Sequence, residues 1–156
     1  MEVFRISSSK YAKSLTASGA SARWNRDGEF VLYTASTRSL ATLELMVHMN
    51  AIRPVVNYKV MVISIEDNDN IIKRLHSRSL PKDWRDFKTY SKLQSIGSTW
   101  YNGCDSLVLK IPSAIITNEY NYIINCHHPD FSKFIKLVSA EDFYFDKRLI
   151  ELLIKP

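Results

Sequence analysis

The order of strand-like and helix-like segments is the feature that most constrains the fold of this chain. Apolar runs typical of strands occur at residues 30–34, 58–65, 107–111, 122–125 and 134–138. Helical spacing of apolar residues occurs at residues 37–49, with Ser36 as the predicted cap, and at residues 71–76, 90–100 and 148–154. Because these segments do not alternate as β-α-β units, an α+β fold is predicted rather than a doubly wound sheet.

The length and composition indicate one domain that covers residues 1–156. Of the 156 residues, 46% are hydrophobic, which is ordinary for a globular chain and too high for disorder. No apolar run approaches the roughly 20 residues of a membrane span, and the N-terminus lacks the pattern of a secretory signal. The two cysteines, Cys104 and Cys126, cannot form a disulfide framework. We therefore expect a cytoplasmic protein with reduced thiols and no membrane partner.

The net charge of +5 is concentrated in the middle of the chain. Residues 51–100 carry nine basic and five acidic side chains, and most of that excess lies between Lys73 and Lys92. Such a segment could attract nucleic acid, a phosphate-bearing ligand or an acidic protein. No zinc-finger spacing, basic heptad region or aromatic RNA-binding motif accompanies it, so charge alone does not define a function.

Familiar catalytic and metal-binding motifs are missing from the sequence. There is no glycine-rich dinucleotide fingerprint, no Walker loop and no Gly-x-Ser-x-Gly elbow. Cys126, His127 and His128 are adjacent, but neighbouring residues on a strand point to opposite faces and no second ligand pair supports them. We therefore expect no metal site, and we expect a partly buried cysteine beside surface histidines.

Three polar residues stand in apolar surroundings and are candidates for a functional site. Arg23 precedes Trp24, Tyr33 lies within a strand-like run, and Glu44 lies on or beside the apolar stripe of its predicted helix. Each has a purely structural explanation. Arg23 could stack on Trp24, Tyr33 could bond the backbone from the core, and Glu44 could form a salt bridge with an arginine. Residue types alone favour these structural roles.

An ordered set of short motifs changes that balance, because together they resemble the RES-domain family of bacterial toxins. The matching residues are Arg23-Trp24-Asn25, Gly28, Val31-Leu32-Tyr33-Thr34-Ala35, Leu40-Ala41, Leu43-Glu44, Leu80-Pro81-Lys82-Asp83-Trp84, Ile96-Gly97-Ser98-Thr99-Trp100, Pro112-Ser113-Ala114, Glu119-Tyr120-Asn121, Ile124-Asn125 and His128-Pro129. The family often has Gly-Gly before its arginine, where this chain has Ser21-Ala22. Cys126 stands where the family often has a proline.

The resemblance implies a fold and a reaction. The fold is similar to that of ADP-ribosyltransferases: a split, mainly antiparallel sheet with surrounding helices. The implied activity is that of a toxin of a type II toxin–antitoxin pair, a glycohydrolase or phosphorylase that cleaves the nicotinamide–ribose bond of NAD. NAD is then the substrate, and no separate cofactor is expected. Some members of the family instead transfer ADP-ribose to a protein.

The resemblance also implies site residues. Glu44 would stabilise positive charge that develops on the ribose, Arg23 would bind the diphosphate or the nicotinamide end, and Tyr33 would stack on nicotinamide. Ligand-binding roles are implied for four further residues: Asn25, Thr34, Ser113 and Asn125.

Three function classes remain open from the sequence: an NAD-degrading enzyme, an ADP-ribosyltransferase that modifies a bacterial protein, and a non-catalytic module. In the third class Glu44 and Arg23 form a structural pair, and the basic segment binds an acidic partner. The family context implies a helix-turn-helix, Xre-like antitoxin as partner, with DNA bound only through that antitoxin.

Overall fold

A computed structural model describes residues 1–48, 57–146 and 148–149, which form a seven-stranded sheet with three helices. The elements in chain order are β1 (Glu2–Ser8), β2 (Val31–Ala35), α1 (Arg38–His48), β3 (Tyr58–Ile65), β4 (Ile72–Arg74), α2 (Tyr90–Gly103), β5 (Val108–Pro112), β6 (Tyr120–Asn125), α3 (Phe131–Phe134) and β7 (Ile135–Phe143). The strand order is β4-β5-β6-β2-β1-β3-β7. None of the helices in these residues has the length and apolar character required to cross a bilayer.

The sheet is mainly antiparallel and is split between β2 and β1. Among the strands of the described residues, only β4 and β5 pair in parallel. At the split, β1 and β2 are joined at one residue pair, Phe4 and Ala35, whereas β1 pairs with β3 along its whole length. The predicted α+β class and the split, mainly antiparallel sheet are therefore confirmed.

The two faces of the sheet carry different clusters of buried side chains. Leu32 and Ile124 belong to one core on one face, whereas Val31 and Ile123, their sequence neighbours, belong to a second core on the other. This division follows from the strict alternation of side chains along a strand. We call the face that carries Val31, Tyr33 and Ile123 the helical face, because α1 and α2 pack on it.

Helix α1 begins one residue later than predicted. The Thr37 hydroxyl, rather than that of Ser36, accepts a hydrogen bond from the Leu40 N–H at 3.0 Å. The backbone N–H of Ser36 instead bonds the carbonyl of Tyr120, which prolongs the sheet and leaves Thr37 as the first residue free to cap the helix. The predicted helix end at Met49 lies outside the described residues.

Two other predictions about secondary structure were wrong or incomplete. Residues 71–76 form no α-helix, because residues 72–74 pair with β5 as the short strand β4, and Ile71 only ends a short 3-10 helix that begins at Asp69. Strand β1 was not predicted, since its alternation of apolar and polar residues is weak. The strands predicted at residues 30–34, 58–65, 107–111 and 122–125 and the helix at residues 90–100 are confirmed, with small shifts of their ends. The strand predicted at residues 134–138 is also confirmed, but it continues to Phe143. Most of the helix predicted at residues 148–154 lies outside the described part.

Helix α2 approaches the chain at Trp24 so closely that only glycine fits at position 97. A Cβ atom placed on Gly97 would lie 1.7 Å from the carbonyl oxygen of Trp24, far inside van der Waals contact. Trp24 is 2% exposed and lies directly after Arg23. Gly97 therefore sets how closely the Arg23-Trp24 segment can lie against the helix.

We predict that Gly97→Ala lowers the free energy of unfolding by at least about 2 kcal/mol, since backbone must move to accommodate the methyl group. Gly103→Ala is the matched control in the same helix. There the nearest atom would be a flexible carboxylate oxygen of Asp105 at 3.4 Å, so a change within about 1 kcal/mol is expected. Urea unfolding of both variants measures the difference, and equal stabilities would contradict the close-packing role of Gly97.

Candidate active site

The loop before β2, residues 19–30, is organised around the side chain of Asn25. Asn25 is 1% exposed, and its Nδ2 lies within hydrogen-bonding distance of the carbonyl oxygens of Ala20, Arg26 and Glu29. Its backbone carbonyl accepts from the N–H of Ala22. The loop therefore closes through Ser21-Ala22 with no glycine at either position. Its two positive φ angles are at Gly19 and Gly28 instead.

The hydroxyl of Tyr33 fastens this loop to the sheet. It donates to Asn25 Oδ1 at 2.8 Å and accepts from the N–H of Trp24 at 3.1 Å. Burial raises the pKa of the Tyr33 hydroxyl well above its ordinary value, although the bond from Trp24 opposes this effect. Tyr33 therefore stays protonated at neutral pH, which suits its hydroxyl to positioning the loop.

Arg23 extends from the loop toward the segment between β4 and α2. One of its terminal nitrogens, Nη1, donates to the carbonyl oxygens of Trp84 and Arg85, both at 3.0 Å. The guanidinium carbon lies 4.7 Å from the centroid of the Tyr90 ring. The expected stacking partner, Trp24, packs on Trp84 instead. Within the described residues, no carboxylate forms a salt bridge with Arg23.

Glu44 is half-buried on α1 and is held by a neutral partner. Its Oε1 accepts a hydrogen bond of 2.5 Å from Nδ2 of Asn121 on β6. In the described ranges no lysine, arginine or histidine nitrogen lies within 4.0 Å of its carboxylate. The structural salt bridge that the sequence also allowed, including one between Glu44 and Arg23, is therefore not formed in this part of the chain.

The strand register places the neighbours of these groups on one face of the sheet. Tyr33 is opposite Ile123, and Ala35 is opposite Asn121. Tyr33 and Asn121 are thus diagonal neighbours on the helical face, about 7–8 Å apart. Tyr33 bonds the residue after Arg23, and Asn121 bonds Glu44, so the register brings groups that hold the candidate catalytic residues to one face of the sheet.

Ser113 lies near the same end of the sheet. It follows β5, continues the pairing with Glu119 through its backbone N–H, and is 1% exposed. Its hydroxyl oxygen accepts from the N–H groups of Ile115 and Ile116, both at 3.1 Å. Both lone pairs are then used, so the hydroxyl hydrogen is the part of the group that remains available for a further bond.

The other three predicted binding residues direct their side chains elsewhere. Thr34 faces away from the helical face, and its hydroxyl donates to the carbonyl of Tyr122. Asn125 is four residues along β6 from Asn121, about 13 Å away, and bonds the carbonyl of Tyr101 and the N–H of His127. Asn25 makes the loop contacts described above. Ligand-binding roles for these three residues stay predictions.

The sequence matches the model of the RES domain over residues 2–146. The chain belongs to the RES domain family. It is 34% identical over 155 residues to "Toxin Res" of Photorhabdus laumondii subsp. laumondii, covering 97% of this chain and 98% of that protein. It is 33% identical over 144 residues to the "Prs ADP-ribosylating toxin" of a Sphingobium species, covering 89% of this chain and 88% of that one.

A solved structure shares the fold of this RES domain. The structure is described as the M. tuberculosis MbcT-MbcA toxin-antitoxin complex, and it aligns with a TM-score of 0.74 over 99% of this chain and 89% of that chain. The identity is 15%, so the likeness concerns the fold. The sequence relatives are described as toxins, and they match this chain over nearly its whole length. This chain is therefore a RES-domain protein of the toxin type.

Sequence reasoning assigned no role to two residues of this RES domain, Gly97 and Asn121. Both lie within motifs that carried the resemblance, so the signal was present without a physical explanation. Gly97 admits the Trp24 carbonyl, and Asn121 binds Glu44. Neither contact can be derived from local spacing, because each joins residues more than 70 positions apart.

Residues 126–128 do not converge on a common point. His127 contacts the Tyr101 hydroxyl through Nδ1, whereas His128 contacts the Cys104 carbonyl through Nε2. Among the described residues no group of three or more His, Cys, Asp or Glu side chains could hold a metal ion. A cavity of about 380 Å³ lies beside His128, and its lining does not include Arg23, Tyr33, Glu44 or Ser113.

The two free thiols should react at different rates. Cys104 is exposed, whereas burial raises the pKa of the Cys126 thiol to about 11 against a smaller opposing effect of Arg5. At pH 8 only about 0.1% of Cys126 is thiolate. We therefore predict that an aromatic disulfide reagent labels Cys104 rapidly and Cys126 slowly. Because the raised pKa limits the thiolate, the slow phase should accelerate as the pH approaches 11. A Cys104→Ser variant that still labels rapidly would contradict this prediction.

Proposed function

We propose that this chain is the toxin of a toxin–antitoxin pair and degrades NAD by cleaving the bond between nicotinamide and ribose. The single observation that carries the proposal is the state of the Glu44 carboxylate. It is bonded by a neutral amide, that of Asn121 on the same face of the sheet as Tyr33, and makes no salt bridge within the described residues. A carboxylate held in this way keeps its charge available for a cation that develops in the substrate.

The proposed reaction begins with departure of nicotinamide. The C1′–N bond breaks, nicotinamide leaves with the electron pair, and positive charge develops at C1′ and the ring oxygen of the ribose. The Glu44 carboxylate would stabilise that charge and accept a hydrogen bond from a ribose hydroxyl, as carboxylates do at the oxocarbenium ions of glycosidases. Water or phosphate then bonds to C1′ and releases a proton.

The remaining residues would hold NAD in position for this step. Nη1 of Arg23 is occupied by two carbonyl oxygens, so its Nε and Nη2 are the donors for a diphosphate oxygen. The fixed Tyr33 ring would define the wall against which nicotinamide lies. The hydroxyl hydrogen of Ser113 would bond a carboxamide or ribose oxygen, because its lone pairs already accept two backbone bonds.

A second candidate function uses the same site with a protein as the acceptor. The Sphingobium relative, which is 33% identical, is described as an ADP-ribosylating toxin of Prs. If a protein side chain replaces water at C1′, the same bond to nicotinamide breaks and ADP-ribose stays attached to that protein. The two functions therefore differ in the acceptor and not in the leaving group.

An antitoxin partner is part of the same proposal. The solved structure with the matching fold is described as a toxin-antitoxin complex. Uncontrolled loss of NAD would harm the cell that makes the enzyme, so an inhibitor that covers the cleft is required. We propose a helix-turn-helix antitoxin, through which the pair would contact DNA.

We predict that the purified chain releases nicotinamide from NAD and that Glu44→Gln lowers this turnover by ~10²–10³-fold. The amide oxygen of the substituted side chain can still accept the bond from Asn121, so the melting temperature should stay within a few degrees of the parent's. Chromatography of nicotinamide, with and without phosphate and with a cell extract that supplies protein acceptors, measures the rate and identifies the product.

Glu66→Gln is the matched control, because it removes the same charge at an exposed position. It should retain the parent's turnover. A parent chain that releases no nicotinamide with any of the acceptors would refute the proposed function. A Glu44→Gln variant that melts far below the parent while its folded fraction stays active would assign Glu44 a structural role.

A further inference from the structure

We propose that Asn121 is a positioning residue that orients the Glu44 carboxylate for catalysis. This inference rests on the proposed function, because the orientation matters only if Glu44 faces a substrate. It is carried by two observations about Asn121, one for each polar atom of its side chain.

The first observation is the bond itself. Asn121 Nδ2 donates to Glu44 Oε1, and it joins strand β6 to helix α1 across 77 positions of sequence. Asn121 is 9% exposed and has its backbone fixed by pairing with Ala35 on one side and Ile111 on the other. The donor is therefore attached to the rigid interior of the sheet, and it limits the rotation of a carboxylate on a long side chain.

The second observation is that the other atom has no partner. Oδ1 of Asn121 is buried, and no hydrogen-bond donor reaches it in the part of the chain that the structure describes. A buried unpaired carbonyl oxygen destabilises a fold, so an apolar residue of similar size would suit this position better if stability alone mattered. The hydrogen bond from Nδ2 to Glu44 thus explains why an amide stands at this position.

A neutral donor is also the chemically appropriate choice for this position. An arginine or lysine beside Glu44 would orient the carboxylate but would compensate its charge, and the attraction for a developing cation would be reduced. An amide orients the carboxylate and leaves the charge in place. Asn121 therefore combines the geometry and the electrostatics that the proposed reaction requires.

The test compares kcat, KM and melting temperature for Asn121→Leu with those of the parent. Leu removes both the donor and the unpaired oxygen, so we expect a melting temperature equal to or above the parent's. Loss of a bond to a charged group should lower kcat ~10–100-fold. KM for NAD should stay within about threefold, because Asn121 acts through Glu44 and does not contact NAD.

Asn121→Asp is the second variant, and it carries the test if the leucine variant does not fold. It retains the shape of asparagine but replaces the donor with an oxygen that repels Glu44, so kcat should again fall at least ~10-fold. Asn70→Asp, which adds the same charge at an exposed position, is the matched control and should behave as the parent.

The same Asn121→Leu change in a Glu44→Gln background separates positioning from direct contact. If Asn121 acts only through the carboxylate, the double variant should turn over NAD at the rate of Glu44→Gln within about threefold. Losses that multiply would overturn the proposal, as would a raised KM with unchanged kcat. A lowered melting temperature with unchanged kcat would also overturn it and leave a purely structural residue.

The parent's own activity distinguishes the two levels of inference. A parent that releases no nicotinamide refutes the proposed function, and the positioning role falls with it. An active parent whose Asn121→Leu variant is equally active overturns the positioning role alone.

Discussion

The hydrogen-bond network around Asn25 is the interaction on which the candidate site depends. The side chain of Asn25 donates to backbone carbonyls of the loop of residues 19–30, and its Oδ1 accepts a hydrogen bond from the Tyr33 hydroxyl on the sheet. Gly97 then allows α2 to lie against the Trp24 carbonyl from the other side. The loop that carries Arg23 is therefore held between a strand and a helix.

A second feature of the site is that its opposite charges are each satisfied by neutral groups. Arg23 is held by two carbonyl oxygens and an aromatic ring, and Glu44 by an amide. A direct pair between them would have fixed both side chains but compensated their charges. Separate neutral anchors preserve a positive and a negative group on the same face of the sheet. This arrangement suits the proposed substrate, which has an anionic diphosphate and a ribose that would become cationic.

The split of the sheet places Glu44 where two halves of the molecule meet. Helix α1 packs Leu40 and Ala41 against Ala35 of β2 and against Phe4 and Ile6 of β1, and therefore covers the residue pair at which β1 and β2 are joined. Asn121 connects the same helix to β6. The position of the Glu44 carboxylate thus depends on the packing of α1 across the split and on the hydrogen bond from Asn121.

The sequence by itself determined the strands and helices that have a clear local pattern, and it identified the candidate site residues. The run from Tyr58 to Ile65 is apolar enough to indicate a buried strand without reference to its partners, and it forms β3. Arg23, Tyr33 and Glu44 stood out because polar groups in apolar surroundings need a physical reason. Only the tertiary structure decided that residues 72–74 become a strand, that Thr34 faces away from the site, and that Asn121 meets Glu44. Pairing, facing and contacts between distant residues depend on packing energies summed over the whole chain, and a local pattern contains no information about them.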